Sequence, residues 1–316
     1  MTEPLKPTVS KRTFSERFVR EIRKNWGLYL LVSIPLLYLI LFKYWPMYGV
    51  QIAFRNYSPA RSIANSPWVG LKYFQKFMEN YQFKRILGNT IAISLYSLLT
   101  FPLPILLAVL LNYVTRPRFK KTVQMISYMP HFISTVVMVG IILQFLDVRS
   151  GMLNMLLTAL GREPVNFMAK PAYFRTIYIL SGVWQSLGYN SIIYIAALSG
   201  VSPELHEAAI VDGANVLKRI WHVDLPGILP TISILLIMQC GSILSVGYEK
   251  IYLMQNSLNL SVSEIISTYV YKQGIAASMP QYSYATAIGL FVSVVNVIML
   301  LIVNAASNRL SGNSLF

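Results

Sequence analysis

The residues of this chain best placed to do chemistry are polar side chains set inside long apolar stretches. Tyr178, Gln185 and Tyr189 follow one another at spacings of seven and four, so a helix carries them on one face. Asn190 and Tyr194 define a neighbouring face, with Trp184 close by. Farther on, Gln239, Ser242 and Glu249 are spaced three and seven apart and would align in the same way. Rings, amides and hydroxyls brought to shared faces in this way could line a pathway for a polar solute. The competing reading is that these groups bridge helices, as polar residues in apolar segments commonly do.

Catalysis by metal or by a covalent nucleophile has little to stand on. The single cysteine, Cys240, excludes an internal disulfide and a cysteine-based metal cluster. His131, His206 and His222 are too scattered for a histidine-rich metal site, and no H-E-x-x-H pattern occurs. His131 follows Pro130, which favours a contact at a helix break over a proton relay. The chain contains no Gly-Lys dipeptide, so no G-x-x-x-x-G-K-[ST] phosphate-binding loop is possible.

The elements that hold these residues are membrane helices. Of 316 residues, 55% are hydrophobic and 12% charged, about half the charged share of a soluble domain. With a mean hydropathy of +0.52, an ordinary soluble globular domain is excluded. The net charge of +15 does not point to nucleic acid, because the basic residues lie between apolar runs instead of on one polar face. Six runs of 18 or more residues lack Asp, Glu, Lys and Arg: 25–42, 86–115, 122–146, 176–203, 225–248 and 273–308. Each can hold one crossing of about 20 residues, and Ile91 to Leu111 lacks the alternation of a barrel strand. The expected fold is therefore an all-α membrane protein with six transmembrane helices. Pro102 and Pro104 fall inside the second run and should kink it.

Basic residues set the orientation. Lys11, Arg12, Arg17, Arg20, Arg23 and Lys24 precede the first span, and Arg116, Arg118, Lys120 and Lys121 follow the second, which places both termini in the cytoplasm. The first span lacks a small-residue cleavage site and is expected to be retained as an anchor. The chain then divides into a basic cytoplasmic segment (1–26), a first transmembrane helix (27–45), an extracytoplasmic loop (46–85), a five-helix core (86–308) and a cytoplasmic tail (309–316).

Between the fourth and fifth spans, inside a cytoplasmic loop over 200–230, lies a polar insertion, Ser202-Pro203-Glu204-Leu205-His206-Glu207-Ala208-Ala209-Ile210-Val211-Asp212-Gly213-Ala214. Ser202 suits an N-cap and Pro203 the first helical position, and the helix dipole favours Glu204 and Glu207 in the first turns. Gly213 suits a left-handed C-terminal turn, and a second short helix is expected over Ala214 to Trp221, stopped before Pro226. The alanines would let another protein approach the first helix closely. An amphipathic helix lying on the membrane, with Trp221 at the interface, is the plainer reading.

Glu207-Ala208-Ala209, Asp212-Gly213-Ala214 and Val223-Asp224-Leu225-Pro226 resemble the "EAA" loop of binding-protein-dependent type I ABC importer permeases, with Val223 where isoleucine is more usual. Phe42-Lys43-Tyr44-Trp45-Pro46, Ser66-Pro67-Trp68, Tyr128-Met129-Pro130-His131-Phe132 and Gln281-Tyr282-Ser283-Tyr284-Ala285 resemble the oligosaccharide branch of that family. The resemblance implies a permease fold in which a first helix wraps a core of five. It also implies a second homologous permease subunit, two ABC ATPase subunits that carry the ATP and Mg, and an extracytoplasmic solute-binding protein. The implied location is the bacterial cytoplasmic (inner) membrane, and the chain itself would hold no cofactor or metal. Glu204, Glu207, Ala208, Ala209, Asp212, Gly213, Ala214, Leu225 and Pro226 would couple to the ATPase. The branch admits uronate-containing oligosaccharides as substrates. A permease of this family for a non-sugar solute is the alternative. An ion-coupled secondary transporter would need carboxylates or broken helices at mid-membrane, and the six runs contain no carboxylate.

Overall fold

In the computed structural model, which describes residues 21–315, the regular elements are helices and the described residues form no β-strand. One isolated bridge pairs Arg55 with Trp68. Lys11, Arg12, Arg17 and Arg20 of the basic segment, and Phe316 of the tail, lie outside the described residues.

The first run forms α1 (Trp26–Leu39), which passes through a π turn (Ile40–Tyr44) and ends in a 3-10 stretch (Tyr48–Phe54). The helical segment Trp26–Phe54 thus continues well past the end expected at residue 45. None of the residues of α1 is buried, so its own chain gives this apolar helix no cover. After α2 (Lys72–Met78), the second run forms α3 (Phe83–Leu99) and α4 (Pro102–Asn112). The interruption at Thr100–Phe101 is the expected kink. Pro102 takes a first position of α4, where a missing N–H costs nothing.

The third run departs from a simple crossing. α5 (Pro117–Tyr128) leads into a 3-10 turn (Met129–Phe132), and the chain bends by 102° before α6 (Thr135–Phe145). Ile133 and Ser134 are extended here, and the Ser134 hydroxyl caps α6 by accepting the Val137 N–H at 3.4 Å. A helix α7 (Met152–Ala159) precedes α8 (Pro171–Leu198), whose 28 residues span about 42 Å. Among the described residues four helices are long and apolar enough to cross a membrane, or five if the bent pair is one span. α8 is long enough as well, but Gln185, Asn190 and its tyrosines make it less apolar.

Two expectations for the fifth span need correction. After α9 (Pro203–Val211), the second short helix α10 (Val216–Arg219) does not stop before Pro226. A π turn (Ile220–Asp224) carries it directly into α11 (Leu225–Gly241), giving one 26-residue helix Val216–Gly241. The widened turn, closed by the Leu225 N–H on the Ile220 carbonyl, relieves the clash that a proline ring makes with the preceding turn. At its far end α11 terminates at Gly241, so Gln239, Ser242 and Glu249 do not share one helix. Ser242 is the C-cap and Glu249 belongs to the separate helix α12 (Tyr248–Met254).

Short helices α13 (Leu260–Ser263) and α14 (Ile266–Gly274) lead to α15 (Tyr282–Ser311), which starts later than the run beginning at 273. α8 packs against α4, α5, α11 and α13. Its crossing with α5 needs Gly188, because a Cβ there would fall 2.3 Å from the Ser127 carbonyl oxygen. Ile105, Ala108, Tyr194, Leu198 and Ile228 form one apolar cluster along α8, and Met138, Phe174, Ile179 and Ile251 belong to another.

Candidate functional site: a helix-lined cavity and the 200–230 loop

α3, α4, the break before α6, α8, α11 and α12 together enclose a cavity of about 1030 Å³. Its size reaches the upper end of ordinary ligand pockets. Of the polar residues singled out in the sequence, Tyr178, Gln185, Tyr189, Asn190, Tyr194 and Gln239 line it. Ser242 lines a smaller neighbouring pocket of about 220 Å³, which Tyr178 and Gln239 also border. Trp184 and Glu249 line neither. Trp184 is 51% exposed on another face of α8, and Glu249 lies beyond the end of α11.

Within the cavity wall, packing and lining roles are mixed. Gln185 donates from Nε2 to the Ile133 carbonyl at 3.0 Å, satisfying a backbone group freed by the bend. Tyr194 is 3% exposed and meets Phe101 edge-on, so most of its ring belongs to the apolar core. Tyr189 stacks on His131, with ring centroids 3.7 Å apart and planes within 2°. His131 thus stands at the helix break, as its position after Pro130 anticipates. Ser97, Thr100 and Lys250 also line the cavity and were not among the sequence candidates. Lys250 directly follows Glu249 outside the charge-free runs, where it reads as an ordinary flanking charge. Only the folding of α12 back against α14 and α6 brings it inward.

The loop 200–230 has the expected local geometry. Ser202 Oγ accepts the Glu204 N–H at 3.3 Å, and Pro203 occupies a first position of α9. Gly213 has φ +73°. The N–H of Gly213 donates to the Ile210 carbonyl at 3.0 Å and that of Ala214 to the Ala209 carbonyl at 2.8 Å, closing the helix end. A Cβ on Gly213 would meet no neighbour within 4 Å, so the demand for glycine here is conformational. Glu204, Glu207, Ala208 and Asp212 are exposed, Ala209, Ala214 and Leu225 half-buried, and Pro226 exposed. Val211, 87% exposed, adds a bare apolar side chain to the same surface.

Beneath this loop lies a contact that sequence reasoning missed. Asp224, in the π turn, is fully buried and accepts a hydrogen bond from the Tyr113 hydroxyl at 2.6 Å. His206 Nε2, from α9, approaches the other Asp224 oxygen to 3.3 Å. That approach is too oblique for a hydrogen bond, so it is a close polar contact, and Oδ1 has no hydrogen-bond partner. The Arg219 guanidinium lies over the Tyr113 ring at 5.3 Å. Burial, followed by the bond to Asp224, pushes the Tyr113 hydroxyl up to about 12, so it stays protonated and donating. Three elements meet here: the end of α4, the loop helix α9 and the turn into α11. The Asp224 signal was present in the sequence as a carboxylate between an apolar residue and Leu225-Pro226, but its partners lie far away in the chain. No group of three or more His, Cys, Asp or Glu among the described residues is placed to hold a metal ion.

Comparison with known proteins places this architecture. Residues 77–312 match the family described as binding-protein-dependent transport system inner membrane component. Protein LplB of Bacillus subtilis (strain 168) is 43% identical over 295 residues, covering 93% of this chain and 92% of that protein. The polygalacturonan/rhamnogalacturonan transport system permease protein YteP of the same organism is 39% identical over 309 residues, covering 98% and 96%. The crystal structure of a bacterial ABC transporter involved in the import of the acidic polysaccharide alginate contains a chain with 38% identity and a TM-score of 0.85, covering 93% of this chain and 99% of that one. A second structure, the bacterial alginate ABC transporter in complex with an alginate pentasaccharide-bound periplasmic protein, matches at 37% identity with a TM-score of 0.86, covering 95% and 100%.

Proposed function

The chain belongs to the binding-protein-dependent transport system inner membrane component family, and from that premise we propose that it imports oligosaccharides, uronate-containing polysaccharide fragments among them. It is a multi-pass transport subunit of an ABC importer, not an enzyme. The observation that carries the substrate reading is the near full-length likeness to the alginate importer chain, at 38% identity and a TM-score of 0.85. The cavity supports it, because Tyr178, Gln185, Tyr189, Asn190 and Gln239 bring ring faces and amide groups to one space.

In this reading the chain lies in the bacterial cytoplasmic membrane with both termini inside. It crosses six times, with α8 and the bent α5–α6 pair as the two crossings that composition alone undercounts. A second homologous permease closes the pathway, and α1, whose apolar surface its own chain leaves bare, meets that partner or lipid. An extracytoplasmic solute-binding protein delivers the sugar to the outer loops. Two ATPase subunits bind ATP and Mg and dock on the surface formed by Glu204, Glu207, Ala208, Ala209, Asp212, Gly213 and Ala214.

The mechanism is mechanical coupling. Closure of the ATPase dimer moves α9 as a rigid lever, with Glu207 in polar contact with the ATPase and Gly213 fixing the lever's angle. Continuity of Val216–Gly241 supports a direct route for that motion, since the second helix of the loop is the foot of a cavity-lining helix. Leu225 and Pro226 sit at the join. Gentle purification from the native membrane tests the reading. Recovery of a second permease, an ATPase and a solute-binding protein that binds saccharides is expected. A chain that emerges alone after crosslinking at residues 202–226, or with a binding protein blind to sugars, contradicts it.

A further inference from the structure

We propose that Lys250 is the counter-charge for a sugar carboxylate, which makes the cavity prefer uronate-bearing oligosaccharides over neutral ones of the same length. This rests on the saccharide reading above and goes further by naming the group that distinguishes acidic from neutral cargo. Among the described residues that line the cavity, Lys250 is the one basic side chain apart from His131, and no Asp or Glu lines it. Neither ion pair found among the described residues, Arg85–Glu264 and Lys272–Glu264, includes it, nor does the His206–Asp224 contact. Glu249, its neighbour in the chain, is exposed and lines neither cavity.

The ammonium group has donors to spare. Nζ makes one long hydrogen bond, to the Tyr178 carbonyl at 3.3 Å, and lies 5.1 Å from the centre of the Tyr178 ring. An ammonium carries three donors, so its hydrogen-bonding capacity is mostly unspent. The facing position on α8 is Gly182, where a Cβ would stand at ordinary contact distance, 3.6 Å, from Nζ, and both residues line the cavity. A cation held within an apolar helix bundle is costly, and such residues mark substrate pathways. A lysine needed only to pack α12 against α8 would gain from its charge no more than these two Tyr178 contacts. A carboxylate arriving on the sugar supplies the partner that the chain lacks. The same site then offers the Tyr178 and Tyr189 rings and the amides of Gln185, Asn190 and Gln239 to the neutral parts of the molecule.

The test uses the complete importer in proteoliposomes: this chain, its partner permease, the ATPases and the binding protein. Uptake of trigalacturonate is compared with uptake of its carboxyl-reduced, neutral counterpart, each at a concentration that saturates the binding protein by direct titration. The wild type is expected to prefer the acid by about tenfold or more, the effect of one charge-assisted hydrogen bond. Lys250→Gln should remove most of that preference by lowering acid uptake, with neutral uptake changed less than about twofold, and Lys250→Arg should keep it. Equal losses for both sugars in Lys250→Gln, or no loss for either, overturn the assignment. A wild-type importer without any acid preference overturns it too, and this result needs no variant to fold. Neutral uptake without acid uptake defeats Lys250 alone, whereas no uptake of either sugar defeats the saccharide reading and this proposal with it.

Discussion

Asp224 is the perturbation that separates mechanical coupling from simple assembly. Its carboxylate is fully buried, holds the Tyr113 hydroxyl at 2.6 Å and lies 3.3 Å from His206 of α9. A hydrogen bond to a charged group contributes about 1.5–3 kcal/mol, roughly 10- to 150-fold in an equilibrium constant. Asp224→Ala removes that bond and the polar contact with His206 together. Asp224→Asn keeps an acceptor for Tyr113 but loses the charge, so its effect should be intermediate. If α9 drives α11 through this contact, sugar moved per ATP hydrolysed falls in the order wild type, Asn, Ala. His206→Ala, which frees only the α9 side, should resemble the Asn variant. Proteoliposomes carrying the assembled complex, with uptake and phosphate release measured in parallel, give the ratio directly. An Asp224→Ala protein that assembles at wild-type abundance and keeps the wild-type ratio would refute this reasoning.

Four further outcomes follow from named residues. Gly213→Asp faces open space, so the complex should still assemble, but transport should be lost because the lever surface is altered; normal uptake at normal abundance contradicts the lever. Gly213→Ala adds about 1–2 kcal/mol of left-handed backbone strain, whereas Gly213→Asn costs less, so uptake should fall further with alanine. Gly188→Val would drive a side chain into the Ser127 backbone and should lower the thermal midpoint of the detergent-solubilised complex, while Gly140→Ala, with no neighbour within 4 Å, should not. Tyr189→Ala removes the ring stacked on His131 at the cavity wall and should weaken uptake several-fold without loss of abundance, as read by quantitative immunoblot beside the transport assay.

Much of the fold was legible because apolar runs and helix caps are local signals. Ser202, Pro203 and Gly213 announce the ends of α9, and the structure puts each in the predicted role. The face shared by Tyr178, Gln185 and Tyr189 was equally readable, since α8 is one unbroken helix. What failed were inferences that carried helical spacing across a break. Gln239, Ser242 and Glu249 align only if α11 continues, and it ends at Gly241. Pro226 looked like a stop, yet a π turn absorbs it and keeps α10 and α11 continuous. Pro130 and His131 mark a break before Ile133–Ser134, but the 102° bend there depends on tertiary partners such as Gln185, which the local sequence does not show. Lys250 and the Asp224 contact were missed for one reason: each draws its meaning from residues distant in the chain.

The central claim is that this chain is the path by which a sugar crosses the membrane when ATP is consumed elsewhere. Reconstitution with its partner permease, ATPases and sugar-loaded binding protein, followed by measurement of labelled oligosaccharide trapped inside the vesicles, tests it most directly. Accumulation that requires ATP and disappears when this chain is omitted is the predicted result. Accumulation that proceeds without ATP under an imposed ion gradient, or no accumulation with every component present, would contradict the account.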